Sequence, residues 1–265
     1  MSQIPNPMPP RDPQPPPKSS SSAGMIVLIL AVVGVLSMCV VIPILMALIL
    51  PAVQKAREAA RRSVDMNNMR QISIALDMYV NTHNAYPPPY VTDADGKPLY
   101  SWRVLILPYL DQDALYSRYK LDEAWDSPNN KPLSDTVIKI FQNPAEENLV
   151  EPLTNYVVVQ GKETMFPPDG KMTYGNIKDG TANTIMVVEI SGSDIHWAEP
   201  RDLDFNTMSF DINDFSGQGI SSTFSGGAHV TFADGSVHLL PVGTDPNQVK
   251  AAITASGGEA VMLPY

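Results

Sequence analysis

The sequence predicts an α+β chain in which one long N-terminal helix crosses a membrane and then packs against a mostly β domain. Three observations carry that reading. No charged residue occurs between Ala23 and Gln54. Residues 52–80 are rich in Ala, Arg, Glu, Gln and Met, which favour helix. After Pro89 the pattern changes to short apolar segments punctuated by Asp-Gly turns.

Residues 1–24 form a tail with eight prolines between Pro5 and Pro17, then Lys18 and serines up to Ser22. Proline withholds a backbone donor and favours extended polyproline II, so this segment reads as a disordered spacer. Met25 to Leu50 is a 26-residue apolar run, about 39 Å of helix, enough to span the hydrocarbon with tilt. It is longer than the apolar region of a signal peptide and does not end in a small-residue cleavage site. It therefore reads as an uncleaved anchor in contact with the lipid bilayer. Pro43 and Pro51 can kink it, which bilayers tolerate. The expected organisation is tail 1–24, transmembrane helix 25–51 and domain 52–265.

Past the membrane the helix continues. Met69, Ile72, Leu76, Tyr79 and Val80 recur at three- and four-residue steps and make one apolar stripe for a domain core. Asn81, His83, Asn84 and Pro87–Pro89 stop the helix. Strands are expected at Asn155–Gln160, Thr184–Ile190, His229–Ala233 and Ser236–Leu240, with short helices at Trp102–Leu110, Asp111–Tyr119 and Pro246–Ala255. Thr244 or Asp245 would cap the last. Turn signals stand at Asp95-Gly96, Asp169-Gly170, Asp179-Gly180 and Asp234-Gly235. A two-residue type I′ turn at Asp234-Gly235 would pair Phe232 with Val237 and Val230 with Leu239. That face would meet the helix stripe, leaving His229, Thr231 and His238 on a wetter face.

The net charge is −10. Arg11, Lys18 and Asp12 sum to +1 before Met25, so the remainder carries −11. Such a surface repels phosphate backbones, which argues against nucleic acid as a partner. The single cysteine, Cys39, lies inside the apolar run. The domain can therefore form no internal disulfide, cysteine zinc site or thiol nucleophile.

The segments LPAVQKAREAARR and NNMRQISIALDMYVNTHNAYPP resemble the start of a pilin-like family of planctomycete-type bacteria, domain of unknown function 1559. The resemblance continues through SWRVLILPYLDQDALYSRYKLDEAWDSPNN, IKDGTANTIMVVE and FSGGAHVTFADGSV to DPNQVKAAITASGGEAV, covering about 210 residues from Leu50 onward. It implies a type IV pilin or type II secretion pseudopilin architecture: a helix anchored in the inner membrane, its second half packed on an antiparallel sheet with irregular loops. Some schemes label the family solute-binding, so its name does not settle function.

This sequence departs from that pattern in three places. Gly24 precedes the apolar run, but no glutamate follows five residues on; the first acidic residue after the span is Glu58. That absence argues against peptidase processing and filament incorporation. The family's histidine, separated by nine residues from Asp-Gly, is replaced by Phe224, so an imidazole function is lost or passes to His229. The family's Cys-Pro pair appears as Asn143-Pro144. Orientation is contested. Lys55, Arg57, Arg61 and Arg62 follow the span, against Arg11 and Lys18 before it. The charge rule alone would place the domain in the cytoplasm. The resemblance implies a periplasmic domain, with the basic stretch along lipid headgroups, and this is the orientation adopted.

No nucleophile elbow, phosphate loop, zinc-protease helix or paired-cysteine motif is present. The sequence therefore assigns no catalytic, cofactor-binding or metal-binding residue and no cofactor. His83, His196, His229 and His238 are scattered; His229 and His238 would be diagonal neighbours on the hairpin, without a third metal ligand in view. Asp202, Asp204, Asp211 and Asp214, with Asn206 and Asn213, offer oxygen ligands of the kind calcium prefers, but their spacing fails the EF-hand pattern. They read first as a solvated loop. Trp102, Tyr109, Tyr116, Tyr119, Trp125 and Trp197 could line a sugar groove, yet aromatics at helical spacing more often build core. The resulting expectation is not an enzyme. It is a single-pass structural or interaction protein of the bacterial inner membrane, with copies of itself or pseudopilins as partners. The alternative is a tethered module that binds carbohydrate or another small solute.

Overall fold

The computed structural model describes residues 22–146, 151–168 and 171–264. The expected tail and the Asp169-Gly170 turn therefore lie outside the described residues, apart from the last residues of the tail. The chain divides into two units, 1–55 and 56–265.

Helix α1 runs from Ser22 to His83 and continues through both prolines. In the first unit the large apolar side chains described between Met25 and Leu50 stand exposed, and an 18-residue window reaches a mean hydropathy of 3.2. Among the described residues this is the one helix long and apolar enough to cross a membrane.

In the second unit α1 buries Asp65, Met69, Ile72, Leu76 and Val80, at steps of four, three, four and four. The predicted stripe is present, with Tyr79 half-buried beside it. The helix ends because Asn84 turns left-handed (φ 59°) and donates its N–H to Val80 O at 2.7 Å.

A hairpin follows, β1 (Tyr90–Thr92) and β2 (Pro98–Ser101), around the Asp95-Gly96 turn. The turn was legible; its flanking strands were not. The two helices expected over 102–119 are instead short pieces: α2 (Trp102–Leu105), a 3-10 turn at Leu107–Tyr109, and α3 (Asp113–Tyr116). Pro108 interrupts the first, and left-handed Asp111 (φ 56°) separates the two. The remaining α-helices and strands are α4 (Lys131–Ser134), β3 (Tyr156–Val157), β4 (Val159–Gln160), β5 (Ile185–Glu189), β6 (Leu203–Asp204), β7 (Gly227–Phe232), β8 (Val237–Pro241) and α5 (Pro246–Ile253). Asp245 caps α5, its carboxylate accepting from Asn247 N at 2.9 Å.

The main sheet is antiparallel, in the order β3-β5-β7-β8, and β4 pairs in parallel with β6 in a separate ribbon. The expected strand 155–160 is thus split at Val158, whose N–H is diverted to the Asp202 carboxylate at 3.0 Å. The sheet has α1 on one face, through a core that includes Met69, Leu76, Tyr156 and Val187. On the other face Val188, Val230, Phe232 and Leu240 pack with Val249, Ala252 and Ile253 of α5.

The β7–β8 hairpin corrects the sequence reading. Phe232 N pairs with Ser236 O, and Gly235, at φ 84°, donates to Phe232 O. The loop therefore has three residues, with glycine in the left-handed position, rather than a two-residue type I′ turn. The register moves by one on β8: Val230 faces His238 and Thr231 faces Val237. Which face meets α1 is also inverted: Val230 and Phe232 turn toward α5, and His229 turns toward α1.

Candidate functional site

One row of the sheet is polar where a hydrophobic row would be expected. Tyr156 on β3 stands opposite Glu189 on β5. Glu189 follows Val188, the partner of Val230, and so stands beside His229 on β7. All three point at α1, where Asp65 occupies the first position of the buried stripe. Asp65 and Glu189 are fully buried and His229 is only 3% exposed.

Asp65 joins the row from above. Its Oδ1 accepts from the Tyr156 hydroxyl at 2.6 Å. Its Oδ2 lies 2.6 Å from His229 Nδ1, which donates to it. Glu189 is held by three donors: the Ser222 hydroxyl at 2.7 Å and the Asn143 amide on Oε1, and the His229 backbone N–H at 3.1 Å on Oε2. The remaining distance, His229 Nδ1 to Glu189 Oε2, is 3.9 Å. One atom from each of Asp65, Glu189 and His229 falls within 4.8 Å of the others. No other group of three such residues assembles among the described residues.

The electrostatics are strained. Burial, and then the charge of Asp65, push the Glu189 carboxyl well above its ordinary range; the hydrogen bonds from Ser222, His229 and Asn143 pull it back only in part. The same burial, with Asp65 adding to it, raises the Tyr156 hydroxyl. The hydrogen-bond frame thus suits an ionised Glu189, while its surroundings penalise the charge. Such a group can hold a proton or a cation between its carboxylates. It has no solvent-facing side on which a substrate could sit.

A second buried ionic group lies beneath Tyr156. Arg103 and Asp202, both essentially without exposure, meet at 2.6 Å. Arg103 also donates from Nε and Nη2 to Tyr156 O and from Nη1 to Ser101 Oγ. Asp202 Oδ1 accepts in addition from Val158 N and, at 3.3 Å, from Trp102 Nε1. Burial lowers the Arg103 pKa and raises that of Asp202, each offset by the charge of the other. This pair fixes the backbone where β3 gives way to β4.

The sequence's own candidates separate. Asp202 is engaged with Arg103, while Asp204 and Asp214 turn back on their own loops, to Asn206 N and Ser216 N. Asn213 Oδ1 accepts from Ser222 N. These acids do not converge on one point. His238 lies against Phe232 at 5.6 Å, on the face away from His229. His83 stacks on Tyr79, and His196 lies tilted against Trp125. Trp102, Trp197 and Tyr119 are core; Tyr109, Tyr116 and Trp125 pack partly buried against it. Phe224 sets its ring edge-on to His229 at 6.1 Å and carries the Arg62 guanidinium 5.0 Å above it.

The sequence profile of the family described as "Protein of unknown function (DUF1559)" matches residues 54–211, more than half of the chain. The chain belongs to this family. No curated protein and no solved structure matches it. The DUF1559 match contains Asp65, Arg103, Tyr156, Glu189 and Asp202, whereas Ser222 and His229 lie beyond its end.

The sequence reading missed the convergence of Asp65, Tyr156, Glu189 and His229. One signal was available: Asp65 precedes Met69 by four residues, so it continues the stripe Met69–Ile72–Leu76–Val80. An acid on a core stripe requires a buried partner.

Proposed function

We propose that this is a membrane-anchored structural or interaction protein of the bacterial envelope, built on a pilin-like plan, with its domain on the periplasmic side of the inner membrane and without catalytic activity. The observation that carries the reading is α1. A single helix supplies both an uncharged apolar segment of membrane-spanning length and the buried stripe of the folded domain. Association would use helix packing in the bilayer and the surface of the sheet and loops, with copies of this chain or pseudopilins as partners. Crosslinking in native membranes tests it. Homomeric or pseudopilin adducts are expected; monomer alone across crosslinkers of several lengths would overturn it. Protease added to spheroplasts should digest the C-terminal domain, and its protection there would invert the orientation.

One observation favours the alternative, a tethered solute-binding module. A groove of about 540 Å³ near the end of α1 is lined by Tyr79, His83, Tyr86, Tyr90 and Lys171, a set suited to the face of a sugar ring. Ligand-dependent thermal stabilisation across a glycan panel would support it, and a flat response would end it.

A further inference from the structure

We infer that Asp65, Glu189 and His229 form a binding site for one divalent transition-metal ion of the zinc class, which fastens α1 to the centre of the sheet. The ligand chemistry comes first. Two carboxylate oxygens and an imidazole nitrogen are a donor set that zinc and its neighbours accept. Calcium and magnesium require more oxygens and no imidazole. With one carboxylate bidentate, the set offers four donor atoms.

The geometry is close to what such an ion needs. Ligand atoms at about 2.1 Å from a tetrahedral zinc stand roughly 3.4 Å from one another. His229 Nδ1 lies 2.6 Å from Asp65 and 3.9 Å from Glu189, values that straddle the requirement. The third separation, between the Asp65 and Glu189 oxygens, is no more than 4.8 Å.

The surroundings are those of a metal site rather than of a simple ion pair. Each ligating carboxylate has its outer oxygen held by a separate neutral donor: Tyr156 on Asp65, and Ser222 with Asn143 on Glu189. This second layer orients the inner oxygens inward, toward the imidazole. A dication would also balance the charge of two buried carboxylates. Because the ligands come from α1, β5 and β7 and are closed to solvent, the ion's role would be structural.

The test uses the full chain in detergent, carrying no histidine tag, stripped with a chelator and titrated with Zn²⁺ against a chromophoric competitor. One Zn²⁺ per chain is expected. His229→Gln and Glu189→Gln should each weaken binding by about 100-fold or more, and Ser222→Ala by about 10-fold. His238→Gln, on the opposite face, should leave affinity unchanged. Co²⁺ uptake by the wild-type chain should give the visible absorption bands of a low-symmetry site with nitrogen and oxygen ligands. That readout does not depend on whether the variants fold. A wild-type chain that takes up neither Zn²⁺ nor Co²⁺ overturns the inference, as does a folded His229→Gln chain with wild-type affinity.

Discussion

Replacing Asp202 by Ala strands three buried donors at once. Arg103 keeps its charge but loses its counter-ion at 2.6 Å, and the Val158 N–H and Trp102 Nε1 lose their acceptor. Neither member of the pair is exposed, so solvent cannot take over. Breaking a buried pair from one side costs about 3–5 kcal/mol, chiefly because the other charge remains. A domain of this size loses about 2–4 °C of melting temperature per kcal/mol, so the expected fall is roughly 6–20 °C. The assay is near-ultraviolet circular dichroism of the full chain in detergent, following the buried Trp102 and Trp197. The double variant Arg103→Met with Asp202→Leu removes both charges and should recover part of the loss. A fall below about 2 °C for Asp202→Ala would refute the reasoning. So would a double variant whose loss equals the sum of the two single changes.

Other perturbations have outcomes of the same kind. Tyr156→Phe removes the hydroxyl bonded to Asp65 at 2.6 Å; the loss should be about 1.5–3 kcal/mol by denaturant titration, and none would mean that Asp65 is satisfied elsewhere. Leu76→Ala, in the middle of the buried stripe, should cost about 2–5 kcal/mol. A Cβ at Gly227 would collide with the Leu240 carbonyl across the β7–β8 ladder, so Gly227→Ala should sharply lower the yield of folded protein, with normal yield counting against the register. Glu189 binds its proton more tightly when folded than when unfolded. In chelator, its contribution to stability is therefore greatest below its unfolded value and declines as pH rises toward the folded one. Glu189→Gln should remove that part of the slope, and identical wild-type and variant slopes would contradict it.

What the sequence disclosed follows physical range. The apolar run and the stripe from Met69 to Val80 are local, periodic signals, and both appear in the structure. The hairpin shows how little is needed to mislead. Asp234-Gly235 marked the turn correctly, but one additional loop residue slipped the pairing. Because side chains alternate along a strand, the slip put His238 on the face away from His229; both faces are covered, by α1 and by α5, so His229 and Thr231 are buried rather than wet. The polar cluster was hidden for another reason. Asp65 and His229 are 164 positions apart, and no pattern within a short window connects them. Glu189 ends the run Ile185–Glu189, which reads as an ordinary buried strand until its acid is counted. Arg103 and Asp202 were equally remote, and the acid loop drew attention to Asp202 for a ligand role that Arg103 already occupies.

The distance between Asp65 and its imidazole partner also has a consequence in time. Chains leave the ribosome from the N-terminus at about 5–20 residues per second. With 164 positions between the two residues, the acid emerges roughly 10–30 s before the histidine exists. Throughout that interval Asp65 is without the imidazole it meets in the fold. The last third of the polypeptide therefore governs when the first third can settle, and a truncated product ending before β7 should be cleared by proteases rather than accumulate.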